Sequence, residues 1–528
     1  MPEPVTPSSV TPFWDTALAA TATREPDRAA YVDASGSPGA AARVVTYGDC
    51  ERGAQGWAGT LERWGVRPGA VVCLLLANSP EFPICYAGNA RAGAVTSGVN
   101  VRLGPAEVAS IVARTRPAVT VVEDAATLAP ALSASAGRVV GRGDLAAHFG
   151  AAAPSRPVQR SPEDLVAVVW TSGTTGAPKG ACFTHAALAA LAEADTVPSR
   201  HHDVYLAAIP QAHVGFTTKV HARATRAATQ VVAPARWDAA TALALLEAHR
   251  VTVAGGVPPQ WRLMLDHPGF DATDLSAVHR VVLGGASIDA DLVGEIRERM
   301  QVPVVARYTC TELAGTCATA PDDPDAVVAH SVGRPLPGVE LRLVDDSGAD
   351  VARGDVGEVC SRAATMMRGY WTEAGVPSID AFDADGFFHT GDLGRLRPDG
   401  NLEIVGRRKD MYVRGGYNVY PAEVESAIAR HRGVAQCAVV GTPDARLGEI
   451  GVAFVVASDP ADPPGLDDLR AWVALSLADY KRPDRVVAID ALPLTAVHKP
   501  DKAALAGYLG NEPQQRCFTK VEAVDDGR

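Results

Sequence analysis

The chain has 528 residues, enough for two or more domains, because single hydrophobic cores stop growing at roughly 250–300 residues. Its 49 basic and 61 acidic side chains give a net charge of −12, which argues against a general binder of nucleic acid or of an anionic membrane. Nine cysteines without a Cys-x-x-Cys pair fit reduced thiols, residues 1–7 lack signal-peptide features, and apolar runs such as 70–77 are too short to span a bilayer; a soluble cytoplasmic protein is expected.

Residues 1–12 are rich in proline, serine and threonine and read as loosely ordered. From 47 to about 124, apolar strands such as 71–76 alternate with helical patterns such as 106–114. The valine-rich run 165–170 reads as a buried strand, and Thr184 sits where an N-cap would, ahead of an Ala/Leu-rich helix at 186–192. Between them lies Thr171-Ser172-Gly173-Thr174-Thr175-Gly176-Ala177-Pro178-Lys179-Gly180, read as a phosphate loop set between strand and helix. Its glycines allow close backbone approach to a polyphosphate, hydroxyls and amides donate to the oxygens, and Lys179 adds positive charge. A Walker A loop starting at Gly173 needs Gly-Lys at 178–179, and the chain has Pro178-Lys179, so an ordinary P-loop NTPase is disfavoured.

Further strand signals at 231–232, 251–253, 281–283 and 302–306 complete an α/β pattern with largely parallel sheets. Near Gly406 the texture changes. A strand at 401–405 leads into Arg407-Arg408-Lys409 and then the pair Gly415-Gly416. A proline-initiated helix at 421–430 places Val424, Ala427 and Ile428 on one side. Strands at 436–440 and 452–456 and a helix at 466–478 make a small α+β unit. The expected division is 1–408 and 409–528, with a polar tail from 510.

The string at 171–180 resembles the signature of the adenylate-forming superfamily: acyl-CoA and aryl-CoA ligases, nonribosomal adenylation domains and luciferases. Further motifs match in that family's order from about 47 to 505. The resemblance implies a large N-terminal region of layered α/β subdomains and a small mobile α+β C-terminal domain. It implies that Gly284, Gly285 and Ala286 border adenine and acyl group, Tyr308 flanks adenine, Thr311 contacts the phosphates and Glu312 binds Mg²⁺. It further implies that Asp392 accepts from the ribose hydroxyls, Arg407 contacts the nucleotide and Lys409 is the hinge. Gly415 and Gly416 would border a pantetheine channel. Lys499 would be the adenylation lysine, with Lys502 the weaker candidate, and His213 would lie by the substrate carboxylate. ATP and Mg²⁺ are the implied cofactors, with CoA as co-substrate.

Each motif also has a plain reading: turns for the glycines, a solvated cluster for Arg408. Lys219, His221 and Arg223 read most simply as a solvated helix face; the sharper reading has one of them facing a polar or small anionic substrate. The pattern departs from the family at Ala212, where an aromatic is usual, at Thr309 and at His498, where glycine is usual. The expected activity is formation of an acyl-adenylate followed by transfer to CoA. The alternatives are a diazotase that adenylates nitrite for an aromatic amine, transfer to a carrier protein, and a non-catalytic homologue. The joint presence of Lys179, Glu312, Asp392, Arg407 and Lys499 counts against the last.

Overall fold

A computed structural model describes residues 11–36, 42–125, 135–171, 178–194, 199–207, 209–234, 237–285, 288, 290–495 and 500–510. Most of the N-terminal stretch read as loose, and the tail from 511, lie outside the described residues. Two compact units emerge, 1–341 with 361–388, and 342–360 with 389–528. Compactness thus draws its line elsewhere than 408/409. Strands Val339–Val344, Val356–Ala363, Phe388–Leu396 and Leu402–Arg407 form one four-stranded sheet, so main-chain bonds hold 389–407 beside 342–360.

The first unit is layered α/β, as its alternating pattern implied. Among the described residues it holds a nine-stranded and an eight-stranded sheet. The nine-stranded sheet runs in parallel through Val304–Tyr308, Arg280–Gly284, Val253–Gly256, Val204–Ala207, Thr229–Val232 and Ala29–Asp33, with antiparallel strands at its edges. The eight-stranded sheet is parallel from Leu165–Thr171 through Val95–Gly98, Val71–Leu75 and Val119–Val122 to Arg138–Gly141. Strands buried on both faces need apolar side chains at successive positions, which is why these segments read as runs rather than alternations. Helices Tyr47–Arg63 and Glu81–Arg91 pack together and bury Trp57, Phe82 and Tyr86 in the largest core cluster.

One expected connection differs. The chain does not pass from strand Leu165–Thr171 through the 171–180 loop into a helix. It returns as a second strand, Lys179–Thr184, antiparallel to the first, with Thr171 opposite Lys179. Only then does helix His185–Ala194 begin, where the Thr184 hydroxyl accepts from the Ala187 amide as its expected cap does. Ala181, Cys182 and Phe183 are all buried, and three apolar residues are too short a run to announce a strand.

The second unit also holds a sheet built on the long antiparallel pair Val434–Asp444 and Gly448–Ala457. Val424, Ala427 and Ile428 of helix Pro421–Ile428 are buried with Val439, Val455 and Leu469, the single apolar side that their spacing required. No helix among the described residues is long and apolar enough to cross a membrane. The eight described cysteines are all free thiols.

Candidate active site

Three structural motifs of the first unit carry the predicted residues. The first is the hairpin that closes the 171–180 loop. Ser172, Gly173, Thr174, Thr175 and Gly176 lie outside the described residues, but both ends are placed. Arg114 braces the second end: its guanidinium donates to the Pro178 carbonyl at 2.7 Å and lies 4.9 Å over the Trp170 ring. Lys179 is exposed, with its ammonium 5.3 Å from the centre of the Tyr370 ring.

The second motif is the end of strand Val304–Tyr308 and the turn after it. Tyr308 is buried on the strand's last position, and Thr311 and Glu312 follow in a half-buried turn. The Tyr370 hydroxyl donates to Glu312 Oε1 at 2.7 Å. Burial, and then the neighbouring carboxylate, push the phenol's pKa up, so it stays a donor. Tyr370 thereby joins Lys179 and Glu312, two residues that sequence reasoning assigned to separate motifs. It was not singled out from the sequence, since its partners lie far away along the chain.

Beside this strand, Gly284 stands opposite Arg307, and a Cβ at Gly284 would come within 2.9 Å of the Arg307 carbonyl oxygen. Gly285 turns the chain with φ +83°, and Ala286 lies outside the described residues. Glu312 supplies a hard oxygen ligand of the kind Mg²⁺ takes singly beside substrate phosphates, so the residue present fits that ion. Among the described residues no group of three or more His, Cys, Asp or Glu is arranged to hold a metal by itself.

The third motif is the segment 209–213. His213 caps the short helix Val214–Thr217, its Nδ1 accepting from the Gly215 amide at 3.3 Å. A neutral ring in that arrangement carries its proton on Nε2 and is a donor there. Ala212 is buried, and a Cβ at Gly98 would come within 3.3 Å of its Cβ and 3.2 Å of Phe82, so a small residue matches a small space.

The solvated-face reading of the next segment does not hold for His221. His221 is fully buried, and among the described residues neither of its ring nitrogens has a hydrogen-bond partner. Burial holds its pKa down at about 4, with a smaller contribution from His185, whose own pKa is also lowered by burial to about 4. The Arg223 guanidinium lies over the Tyr205 and Phe216 rings and donates to Gln230 at 3.0 Å. Lys219 is half-buried at the N-cap of helix Val220–Thr225. The helix is packed against Trp14–Arg24 and His185–Ala194, which covers His221 and leaves Arg223 half-buried.

In the second unit, Asp392 and Arg407 face one another across an antiparallel pair. Asp392 is buried and meets Arg407 Nε at 2.8 Å. The strand at Asp392 is held by Glu358, which accepts from the Gly391 amide at 3.0 Å and pairs with Arg408 at 3.0 Å. Arg408, which also meets Asp346, is exposed and ion-paired, so the solvated reading needs only the addition of its carboxylate partners. Glu358 was not identified from the sequence, because Gly391 and Arg408 lie far from it along the chain.

Lys409 is exposed in a turn after strand Leu402–Arg407. Gly415 and Gly416 form the two-residue turn of a hairpin, with φ +56° and +85° and Arg414 opposite Tyr417. Two successive positive φ values define the type I′ turn that matches strand twist. Lys499 lies outside the described residues; Lys502, its weaker rival, is paired with Glu425 at 2.8 Å.

A nucleotide-enzyme signature on this scaffold defines a class, and comparison with known proteins supplies it. The model of the AMP-binding enzyme family matches residues 18–371, and that of the AMP-binding enzyme C-terminal domain matches 423–499. The chain belongs to the AMP-binding family and is an adenylate-forming ligase. It is 33% identical to 4-coumarate–CoA ligase 5 of Oryza sativa subsp. japonica, over 88% of this chain and 89% of that protein. It is 35% identical to a feruloyl-CoA synthase of an Amycolatopsis species, over 86% and 92%. The solved structure of ATP-bound MatB from Rhodopseudomonas palustris superposes with a TM-score of 0.83 at 28% identity, covering 94% of this chain and 98% of that one.

Proposed function

We propose that the protein activates an organic carboxylic acid with ATP, releasing pyrophosphate, and passes the acyl group from the acyl-adenylate to the thiol of CoA. The observation that carries this reading is the Lys179–Tyr370–Glu312 cluster beside the strand end that bears Tyr308. A carboxylate attacking a triphosphate must overcome like-charge repulsion, and a cation and a metal ligand held by one phenol suit that task. The names of the relatives, ligases of 4-coumarate and ferulate, support CoA as acceptor and aromatic acids as the first class to test.

In this reading Lys179 and the 171–176 loop hold the phosphates, Thr311 contacts them, and Tyr308 with Gly284–Ala286 flanks adenine and acyl group. Asp392 accepts from the ribose hydroxyls, and Arg407 shifts part of its charge from Asp392 to the nucleotide. Glu312 would hold Mg²⁺, which would supply charge neutralisation for the phosphates. His213 offers its Nε2 proton to the acid's carboxylate, and Lys499 serves the adenylation step. Lys409 is the residue whose backbone turns between half-reactions, which places the functional hinge at 408/409, and the Gly415–Gly416 turn borders the pantetheine arm.

The test is pyrophosphate release with ATP across aromatic, short-chain and fatty acids and nitrite, followed by mass analysis after adding CoA or an aromatic amine. An acid-dependent response giving a CoA thioester is expected. A response to nitrite alone, with a diazonium product, would overturn the reading.

A further inference from the structure

The geometry points to Asn78 and Gln211 as a pair of positioning residues that set the imidazole of His213 against the acid; this rests on the acid-activating reading above. The two belong to different loops. Asn78 follows strand Val71–Leu75, whereas Gln211 follows strand Val204–Ala207 of the other sheet.

Their bonds are reciprocal. The Gln211 amide donates to Asn78 Oδ1 at 2.8 Å, and the Ser79 amide donates to Gln211 Oε1 at 2.8 Å. Asn78 Nδ2 donates to the Ile209 carbonyl at 2.9 Å. On the far side, the Thr217 hydroxyl donates to the Gln211 carbonyl at 3.0 Å, and the His213 amide donates to the Pro210 carbonyl at 2.9 Å. Every residue from 209 to 213 except Ala212 is therefore held by a directional bond, and Ala212 is held by packing against Gly98. Such a segment fixes the Cα of His213, while the Gly215 amide fixes its ring.

Gln211 is buried, and among the described residues its Nε2 has no hydrogen-bond partner; the Ser79 hydroxyl is likewise buried and without one. Each such orphan destabilises the fold, and an apolar side chain of similar length in place of Gln211 would avoid its own. A polar residue held there at a cost is explained if its carbonyl oxygen must grip Ser79. Tolerances are small in acyl activation, where a displacement of about 1 Å at a reacting group can cost about 100-fold.

The experiment measures kcat and KM for acid and for ATP in pyrophosphate release by Asn78→Ala, Asn78→Asp, Gln211→Met and His213→Ala, together with the His213→Ala double variants. Asn78→Ala and Gln211→Met are expected to lower kcat/KM for the acid by about 10- to 100-fold, with KM for ATP unchanged. Asn78→Asp keeps the acceptor for Gln211 but loses the donor to Ile209, and should recover part of the loss. Added to His213→Ala, neither substitution should lower kcat/KM further. Full acid kinetics in Asn78→Ala, or additive losses in the double variants, would overturn the positioning role. If Asn78→Ala does not fold, Asn78→Asp and Gln211→Met decide by the same criteria. A wild-type protein unresponsive to every acid would instead defeat the acid-activating reading itself, and His213→Ala with normal acid kinetics would remove His213 from it.

Discussion

The polar clusters of the first unit and the Gly415-Gly416 hairpin of the second hold their residues in opposite ways. In the first, polar groups are gripped by side chains from distant parts of the sequence: Tyr370 on Glu312, Asn78 on the 209–213 segment, Arg114 on Pro178. In the second, the pair Gly415-Gly416 stands at an exposed hairpin tip where backbone conformation alone decides the residue type. Glycine shows the contrast within one residue type. Gly284 is required by crowding, since its Cβ would meet a carbonyl, while Gly416 is required by φ, since nothing lies within 4 Å of its Cβ. A motif letter is therefore explained either by what surrounds it or by how the chain turns.

The largest effect that follows concerns the dry interior of the first unit. His185 and His221 each have a folded pKa of about 4, below the unfolded value of about 6.5, so the unfolded chain binds more protons between those limits. Their neutral forms stabilise the fold fully above about pH 6.5, and that contribution is lost as pH falls toward 4, on the order of 3 kcal/mol per ring. Denaturant midpoints measured from pH 7 to pH 4 should fall accordingly, and His221→Leu should flatten that slope. An unchanged slope in the variant would mean that the ring is solvated in solution.

At the proposed reacting groups, Glu312→Gln should slow pyrophosphate release by about 100-fold, the scale of losing one preorganised electrostatic partner. Tyr370→Phe should cost about 10-fold and add nothing in the Glu312→Gln background, because the phenol acts through that carboxylate. Equal losses by Tyr370→Phe in both backgrounds would break the link.

The smallest effects belong to the exposed hairpin. Gly416→Val forces a β-branched residue into a left-handed conformation and should lower stability by about 1–2 kcal/mol, whereas Gly416→Asn, which tolerates that conformation, should cost less. Slower thioester formation in Gly416→Asn, with adenylation rates kept, would assign the position to the pantetheine path and separate that role from backbone strain. Unchanged thioester rates would leave the turn a purely conformational requirement.

The sequence revealed the α/β order and, in the second unit, the strands near 401–405, 436–440 and 452–456 and the helices from 421 and 466, because valine runs and the Val424/Ala427/Ile428 spacing are local signals. It misread what depends on contacts across the chain. The strand Lys179–Thr184 was hidden because its apolar run is short. His221 looked solvated because nothing in its own segment announces that two helices cover it. Tyr370 and Glu358 escaped notice for the same reason: each gains its meaning from partners distant in sequence, Glu312 for the first and Gly391 and Arg408 for the second.

The central claim is attack by a carboxylate oxygen on the α-phosphorus of ATP. It is tested most directly by following an ¹⁸O-labelled acid through one turnover with ATP and CoA. The account predicts one labelled oxygen in AMP, unlabelled pyrophosphate and an acyl-CoA product. Label in inorganic phosphate, with ADP formed, would show an acyl-phosphate route and contradict it.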